Sequence, residues 1–356
     1  MRNLKTIIIF ALLSLGSISC NHVKKETTIK DFEQSYNLKH KAYDNELMLT
    51  IGYMQTLDSL LLITTFNTDP FCSVYSPKNN MKEVCKYGTI GNGPGEFIQP
   101  FLTYSYGNSF GLNEINKQEL AILEVQVKNG EYNIYEQKRL KAPYKMKKDE
   151  LALPDYYFIR LDSTHFVSQV CNGENSFFSL LDQSLQPIER FGESPIQEKL
   201  SPHASFSRLH GHIAAKDGIL FFAPNELPYL ACYQLQSGKM QKQWSFFYNK
   251  AYYGVKNGDL LYDREKSSGM VLDLDVDKHY VYLLYLDQLL SEYDFKNPEK
   301  SLANKILIFD HEGNAVASLH LDCRLQTMAL SKDSRKLYGI SLLPEPTIVE
   351  FDLPNI

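Results

Sequence analysis

The sequence is poor in the features that mark several large classes of protein. It has no long run of one charge sign, and 37 basic against 42 acidic residues leave a formal charge of −5. Because nucleic-acid binding needs a concentrated basic face, we expect no nucleic-acid partner. HExxH, Walker phosphate-loop and CxxC motifs are missing, so we assign no catalytic residue, metal or cofactor. One Trp stands against 23 Tyr and 20 Phe, a composition that suits strands.

Cysteine is too scarce to build a disulfide framework. Five cysteines follow Cys20, and their odd number leaves at least one thiol unpaired in an exported chain. Cys72 and Cys85 flank a predicted hairpin that turns at Lys78-Asn79, where they would face each other closely enough for a disulfide. The alternative is that both are small buried apolar residues. The sequence leaves both interpretations open.

The first 20 residues have the pattern of an export signal. A short basic start precedes an apolar stretch from Thr6 to Leu15, which is too short to span a bilayer. The segment that ends at Ser19-Cys20 resembles a bacterial lipoprotein signal, which implies lipid attachment at Cys20 after removal of residues 1–19. Ser17 stands where that pattern usually has Leu, and a simple secretory signal is the alternative.

Residues 20–40 are polar and rich in Lys and Glu, which predicts a flexible tether before a folded body at 41–356. Asn21 follows the cysteine without an acidic cluster. By resemblance to lipoprotein sorting rules, this favours the periplasmic face of an outer membrane. We therefore expect a membrane partner through the lipid anchor.

A repeat of about 55 residues organises the body. An apolar strand, a tight turn with Asp or Asn and a second apolar strand recur six times, with spacings of 50, 54, 55, 60 and 56 residues. The turn residues are Asp58, Asn108, Asp162, Asp217, Asp277 and Asp333. A second, more polar hairpin follows each of the first five copies. Four strands per repeat predict an all-β, six-bladed β-propeller.

The last repeat lacks one strand. Only Thr347 to Leu353 follows its first hairpin, whereas Asn45 to Ile51 precedes the first repeat and has strand character. Pairing of these N- and C-terminal strands in one blade would close the ring and remove an exposed sheet edge.

One junction between blades carries a distinctive string. Residues 87–97 read YGTIGNGPGEF, and Pro100 follows. This string resembles the signature of the TolB-like and NHL-like six-bladed propeller lipoproteins, which implies the propeller fold and an envelope location. Its central residues are Gly91, Gly93, Pro94, Gly95, Glu96 and Phe97. The glycines and proline suit an unusual turn and Phe97 suits a wedge between blades, whereas exposed amides that bind an anion are the alternative.

Two groups of polar side chains are candidates for the channel. His203, His210 and His212 cluster before the fourth blade, where they line the channel or hold a metal; we favour channel lining. Asp273 and Asp275 alternate with apolar residues, and Lys278 stands where a calcium loop needs Gly. We therefore predict that these aspartates are polar groups on the channel side of a strand.

Two insertions interrupt the repeat, at 249–268 and 287–304. Long loops on a rigid scaffold often carry function. Tyr252, Tyr253 and Tyr262 lie in the first insertion and offer aromatic surfaces, so we predict a binding rim there. The only Trp, Trp244, falls in a predicted outer strand and is interpreted as a packing residue.

The function predicted from these features is a non-enzymatic binding or scaffold module for an envelope protein or a glycan. The alternative, implied by the resemblance to NHL-type propellers, is a hydrolase or lyase with its site in the channel. Convergence of three His or carboxylate groups in the channel would favour the enzyme. A channel filled by apolar side chains would favour the binding module.

Overall fold

A computed structural model describes residues 32–43, 52–65, 68–141, 158–170 and 176–356. Within these ranges, strands form six sheets of four or five strands each. The first strand of each sheet lies innermost, and these inner strands contact one another in a closed circle. The predicted six-bladed β-propeller is confirmed.

The first three blades each use four consecutive strands. Blade 1 contains β3 (Gly52–Leu57), β4 (Leu60–Thr65), β5 (Cys72–Ser76) and β6 (Lys82–Tyr87). Blade 2 contains β7 (Pro100–Tyr106), β8 (Ser109–Glu114), β9 (Glu119–Lys128) and β10 (Glu131–Lys141). Blade 3 contains β11 (Phe158–Arg160), β12 (Phe166–Gln169), β13 (Ser176–Leu181) and β14 (Pro187–Glu193).

The last three blades include the helices and the N-terminal strands. Helix α1 (Pro202–Leu209) precedes blade 4, which contains β15 (Gly211–Lys216), β16 (Ile219–Pro224), β17 (Tyr229–Gln236) and β18 (Lys239–Phe247). A separate hairpin of β19 (Tyr253–Lys256) and β20 (Asp259–Tyr262) follows. Blade 5 contains β21 (Ser268–Val276), β22 (Tyr280–Leu289), β23 (Ala303–Asp310), β24 (Ala315–Leu325) and β1 (Gln34–Leu38), with α2 (Pro298–Ser301) in a loop. Blade 6 contains β25 (Thr327–Leu330), β26 (Lys336–Ser341), β27 (Thr347–Asp352) and β2 (His40–Tyr43).

Apolar side chains between adjacent blades form the core. The second strands of the blades are buried on both faces, as in β4, where five consecutive residues are buried. Between blades 3 and 4, the ring of Phe178 stands edge-on to Phe222 at 5.0 Å and to Tyr233 at 5.8 Å between centroids. Such edge-to-face pairs add stability beyond burial alone. No helix in the described ranges is long and apolar enough to cross a membrane.

The repeated aspartates form the inner turns as predicted. Asp58 adopts the left-handed conformation, with φ of 55°. Asp162 accepts a hydrogen bond from the backbone N–H of Thr164 at 2.6 Å, and Asp277 accepts one from that of His279 at 2.7 Å. Short polar side chains that bond to nearby amides explain why Asp recurs at these turns.

The ring closes in blade 6 by pairing of an N-terminal with a C-terminal strand, as predicted. Strand β2 pairs antiparallel with β27, from His40 opposite Phe351 to Tyr43 opposite Ile348. The closing strand is therefore His40–Tyr43, and residues 45–51 lie outside the described residues. Only Tyr43 is buried in this short strand, and its hydroxyl donates to Glu350 at 2.7 Å. One buried residue in four gives a weak strand pattern.

The predicted tether at 20–40 contains a strand, so the folded body begins before residue 41. Strand β1 pairs in parallel with β24, from Gln34 opposite Ala317 to Leu38 opposite Leu321. Residues 21–31 lie outside the described residues. Because β1 covers the outer edge of a blade, most of its side chains stay exposed and its sequence looks like a linker.

The two blade 1 cysteines are free thiols and do not lie opposite each other. Cys72 pairs with Tyr87 and Cys85 pairs with Val74 in the ladder between β5 and β6. A short 3-10 turn, Pro77–Asn79, and a register shift after Val74 offset the two strands. The disulfide is absent, and burial raises the pKa of both thiols, that of Cys85 to about 11.

Candidate functional site

The propeller has two different faces. The inner strands end at the six Asp or Asn turns on one face, which we call the turn face. The opposite face, the loop face, carries α1, the β19–β20 hairpin and residues 290–302, because these segments precede inner strands or follow β22. The axial channel runs between the two faces.

A recess of about 310 Å³ opens at the centre of the turn face. We call this recess the mouth. All six blades contribute to its wall, including Asp58, Tyr106, Arg160, Lys216, Lys278 and Lys332. Its volume lies at the lower end of the range for small-molecule sites. A site with contributions from every blade exists only when the ring is closed.

The charges at the mouth are unequally neutralised. Lys332 of blade 6 forms an ion pair with Asp58 of blade 1. The guanidinium of Arg160 lies 4.5 Å above the ring of Tyr106. Lys216 and Lys278 are exposed, and neither forms an ion pair within the part of the chain that the structure describes. Positive charge is therefore available at blades 3, 4 and 5, beside the exposed carboxylate of Asp217 on blade 4.

Two acidic groups of the mouth are occupied by the protein itself. The Oδ1 atom of Asp277 accepts two backbone hydrogen bonds, and its Oδ2 accepts the hydroxyl of Tyr282 at 3.0 Å. The Oδ2 atom of Asp275 accepts the backbone N–H of Leu330 at 2.8 Å. These carboxylates hold the backbone, and within the described residues neither forms an ion pair with a cation of the mouth.

A smaller chamber of about 110 Å³ continues the channel below the mouth. Its wall is mixed, with Met54, Tyr104, Ile159, Ile213 and Met328 beside the two aspartates. The predicted channel aspartates thus lie on the channel wall. The chamber is neither a cluster of ionisable groups nor a purely apolar plug.

The two aspartates also join blades 5 and 6. Asp273 accepts hydrogen bonds at Oδ2 from Thr327 Oγ1 at 2.5 Å and from the backbone N–H of Met328 at 2.9 Å. Asp275, two residues further along the strand, accepts a similar hydrogen bond from the backbone N–H of Leu330. Inner strands of adjacent blades do not share a ladder, so these carboxylates supply polar contacts between them.

Burial controls the protonation of these groups. Desolvation raises the pKa of Asp275 from an ordinary 3.8 to about 7 and that of Asp273 to about 6, although the amide hydrogen bonds act in the opposite direction. Desolvation, with a smaller contribution from His210, lowers the pKa of His212 to about 4. Its Nδ1 lies 3.9 Å from Asp273 Oδ1, too far for a hydrogen bond.

The three clustered histidines do not share one site. His203 is exposed on α1, and His210 caps the end of that helix. The Nδ1 atom of His210 lies 3.0 Å from the carbonyl oxygen of Phe206, and its Nε2 lies 3.1 Å from Asn225 Nδ2. This geometry fits a neutral ring that donates from Nδ1. No metal-ligand group among the described residues includes these histidines.

The predicted binding rim lies on the loop face, and its tyrosines are largely used for packing. Tyr253 and Tyr262 pack against the hydrophobic core, and the Tyr262 hydroxyl donates to the carbonyl oxygen of Arg208 at 2.9 Å. Tyr252 lies under the ammonium of Lys250, 4.7 Å from the ring centroid. Backbone bonds from Leu290 to Ser267 and from Ser291 to Arg264 join the two insertions.

The glycine-rich string forms a closed loop between blades 1 and 2. The N–H of Gly91 donates to Phe97 at 2.8 Å, and that of Gly93 donates to the Glu96 carboxylate at 2.6 Å. A Cβ at Gly91 would lie 2.2 Å from that carboxylate, and Gly95 has a φ of +80°. Since the amides are occupied and an acidic group fills the loop, the geometry fits packing and not anion binding.

Phe97 from this loop is a wedge in the core. Its ring is fully buried, stands edge-on to Phe71 at 5.2 Å and lies 4.7 Å below the guanidinium of Arg139.

Trp244 also packs between two blades. It lies in β18, where its indole N–H donates to the carbonyl oxygen of His311 in blade 5 at 2.8 Å. It borders a wider recess of about 780 Å³ at the outer edge of blades 4 and 5.

One motif was missed by the sequence reasoning. Residues 107–111 read GNSFG and match the GxSxG pattern of serine hydrolases. In the structure they form the turn between β7 and β8 and the start of β8. A nucleophile elbow joins a strand to a helix, so a strand-to-strand turn does not have its geometry.

The cations of the mouth were also missed. Arg160, Lys216, Lys278 and Lys332 lie within two residues of a repeated turn aspartate. Basic residues beside the recurring Asp were the available signal, because all these turns converge on the axis.

A closed six-bladed β-propeller with a polar mouth defines the class of this protein. The profile of the family described as TolB-like 6-blade propeller-like matches residues 31–333, and the chain belongs to this family. No curated protein matches the chain.

Several solved structures are similar in fold. A luciferin-regenerating enzyme aligns with a TM-score of 0.50 at 9% identity, over 89% of this chain and 95% of that chain. Hsv2 of Kluyveromyces lactis aligns with a TM-score of 0.41 at 14% identity, over 85% of this chain and 75% of that chain. At such low identity, the first likeness shows the fold alone.

Proposed function

We propose that this protein is a lipid-anchored cell-envelope propeller that binds an anionic glycan at its mouth and catalyses no reaction. The observation that carries the proposal is the polar recess built by all six blades, with positive charge at blades 3, 4 and 5. Fold alone does not assign function, so the argument depends on this site.

The charge of the mouth favours an anionic ligand. Lys216 and Lys278 are exposed, and Arg160 adds a guanidinium on the neighbouring blade. Carboxylate, sulfate and phosphate groups are the natural ligands of such cations. Asp275 and Asp277 are held by backbone amides, and within the described residues neither forms an ion pair with these lysines.

The shape of the mouth favours a glycan over a protein partner. A stable protein interface covers about 800 Å² per partner, whereas this recess is small and concave. The ring of Tyr106 is 48% exposed beside Arg160, which offers an apolar surface next to a donor. A sugar ring with acidic substituents uses both features.

The enzymatic alternative has less support. Within the described ranges, no group of three metal-ligating side chains converges in the channel. The carboxylates of Asp273 and Asp275 accept hydrogen bonds from blade 6, which gives them a structural role. A binding function requires no further catalytic group.

The lipid anchor predicts an all-or-none change in partitioning. Cys20 lies outside the described residues, and the proposal of an anchor rests on the export signal. In the producing bacterium, the full-length chain is expected in the detergent phase of a two-phase extraction, with fatty acid attached. Cys20→Ser is expected in the aqueous phase, because one thiol carries the attachment. Cys85→Ser is the matched control, and a Cys20→Ser protein that still enters the detergent phase would contradict the anchor.

Charge reversal at the mouth tests the glycan site. We expect the protein to bind acidic members of an array of neutral, carboxylated, sulfated and phosphorylated glycans, with an affinity that falls as salt rises. The double variant Lys216→Glu/Lys278→Glu should weaken binding at least about tenfold, or about 1.4 kcal/mol.

The double variant Lys82→Glu/Lys138→Glu is the matched control. It makes the same change in net charge on the outer strands of blades 1 and 2, and it should bind within about twofold of the wild type. Equal binding of neutral and acidic glycans, or equal loss in both double variants, would contradict the proposed site.

A further inference from the structure

The N-terminal segment crosses between two blades at a cluster of metal-ligating side chains. Strand β1 ends at Leu38 on blade 5, and β2 begins at His40 on blade 6. The Nδ1 atom and the backbone nitrogen of His40 lie 2.7 and 3.0 Å from Asp322 Oδ1. One ligand atom each from His40, Asp322 and Cys323 lies within 4.8 Å of the other two.

An irregular strand allows two successive residues to face one point. In a regular strand, Asp322 and Cys323 would point to opposite sides. Strand β24 pairs Leu325 with Ala303 but His320 with Lys305, so five steps on β24 match two on β23. Such a bulge re-aims side chains, and bulges are common next to functional sites.

We propose that His40, Asp322 and Cys323 bind one zinc ion, with water as the fourth ligand. Imidazole, carboxylate and thiolate are the ligands that Zn²⁺ accepts, whereas Mg²⁺ and Ca²⁺ prefer oxygen alone. Zinc bonds of about 2.0–2.3 Å in a tetrahedron place ligand atoms about 3.3–3.8 Å apart. The His40–Asp322 separation of 2.7 Å is shorter than that range, and all the ligand atoms lie within 4.8 Å of one another, so side-chain shifts of about 1 Å suffice.

The three donors are chemically ready for this role. The side chains of His40 and Asp322 are 31% and 41% exposed, so an ion reaches them from solvent. On zinc binding, bonds to the ion replace the contact between His40 Nδ1 and Asp322, and Cys323, a free thiol, releases its proton.

The location implies a structural effect. The ligands come from the start of β2 and the end of β24, so the ion would join the closing strand of blade 6 to the edge of blade 5. The cluster lies at the outer rim, away from the mouth. The inference is therefore independent of the proposed glycan site.

Metal binding by the purified full-length chain tests the inference. After dialysis against zinc and then metal-free buffer, elemental analysis should find one zinc per chain. Removal by a chelator should lower the melting temperature by several degrees, because a ligand of the native state stabilises it. Co²⁺ in place of zinc should give a thiolate charge-transfer band in the near ultraviolet.

Three variants identify the ligands. His40→Ala, Asp322→Asn and Cys323→Ser should each weaken zinc binding at least about tenfold, and Cys323→Ser should remove the charge-transfer band. Cys85→Ser, which removes another half-buried thiol, should change neither. Circular dichroism of each metal-free variant checks that it is folded. A folded wild type without zinc, or a Cys323→Ser protein with unchanged affinity, would overturn the inference.

Discussion

A chain that begins at residue 44 is expected to lose the cooperative unfolding of the propeller, or to melt at least about 10 °C below a chain that begins at residue 32. The shorter chain lacks both β1 and β2. Blade 6 then has three strands, and the outer edges of blades 5 and 6 lose their covering strands.

Three apolar contacts, one buried and two half-buried, explain the size of this effect. Tyr43 is 4% exposed in the core, Leu38 packs against the core beside blade 5, and Phe32 stands edge-on to Phe309 at 5.2 Å. A fully buried apolar side chain contributes roughly 1.5–3 kcal/mol, and a half-buried one contributes less. Together with the lost strand pairing, the sum approaches the 5–15 kcal/mol that typically stabilises a domain.

Thermal unfolding followed by circular dichroism measures the loss. The chain that begins at residue 32 keeps both strands and is the matched control. Equal melting temperatures for the two chains would show that the ring is held without its N-terminal strands.

The second large effect concerns the dependence of stability on pH. The folded-state pKa of Asp275, about 7, lies above its ordinary value of 3.8. The native state therefore binds this proton more tightly than the unfolded state, so its contribution to stability is fully present below pH 3.8 and is lost as the pH rises through 7. Since one pKa unit corresponds to about 1.4 kcal/mol, we expect a change of a few kcal/mol.

Asp275→Asn should remove this contribution, because the amide cannot ionise. The melting temperature of the variant, relative to the wild type, should rise by several degrees between pH 4.5 and pH 8. Asp273 and His212 face the same channel and remain in both proteins, so the comparison isolates Asp275. Asp217 is an exposed carboxylate on blade 4, and the melting temperature of Asp217→Asn should change with pH as that of the wild type does. If the difference in melting temperature between Asp275→Asn and the wild type is the same at pH 4.5 and pH 8, Asp275 is not the source of the pH dependence.

The sequence was sufficient for the blades because their turns obey local rules. Asp58, Asp162 and Asp277 are spaced by the repeat and bond to their own turns, so pattern and structure agree. Gly130 and Gly238, in the turns of second hairpins, have φ of 82° and 76°. Local turn preferences of this kind can be predicted from a single sequence.

Features that depend on partners far away in the sequence could not be predicted from the sequence alone. The closing strand His40–Tyr43 has one buried residue, and β1 has none. Both strands find their partners about 280 residues or more away. The cysteine register likewise depends on a short 3-10 turn, and the bonds from Asp273 and Asp275 to blade 6 depend on blade packing.

The position of β1 and β2 has a consequence for biosynthesis. Residues 34–43 are made early, whereas their partners at 317–321 and 348–351 are made about 280 residues or more later. A nascent chain that stops before residue 317 contains β1 and β2 but lacks the segments with which they pair. Completion of the circle must therefore wait until residue 351 has left the ribosome.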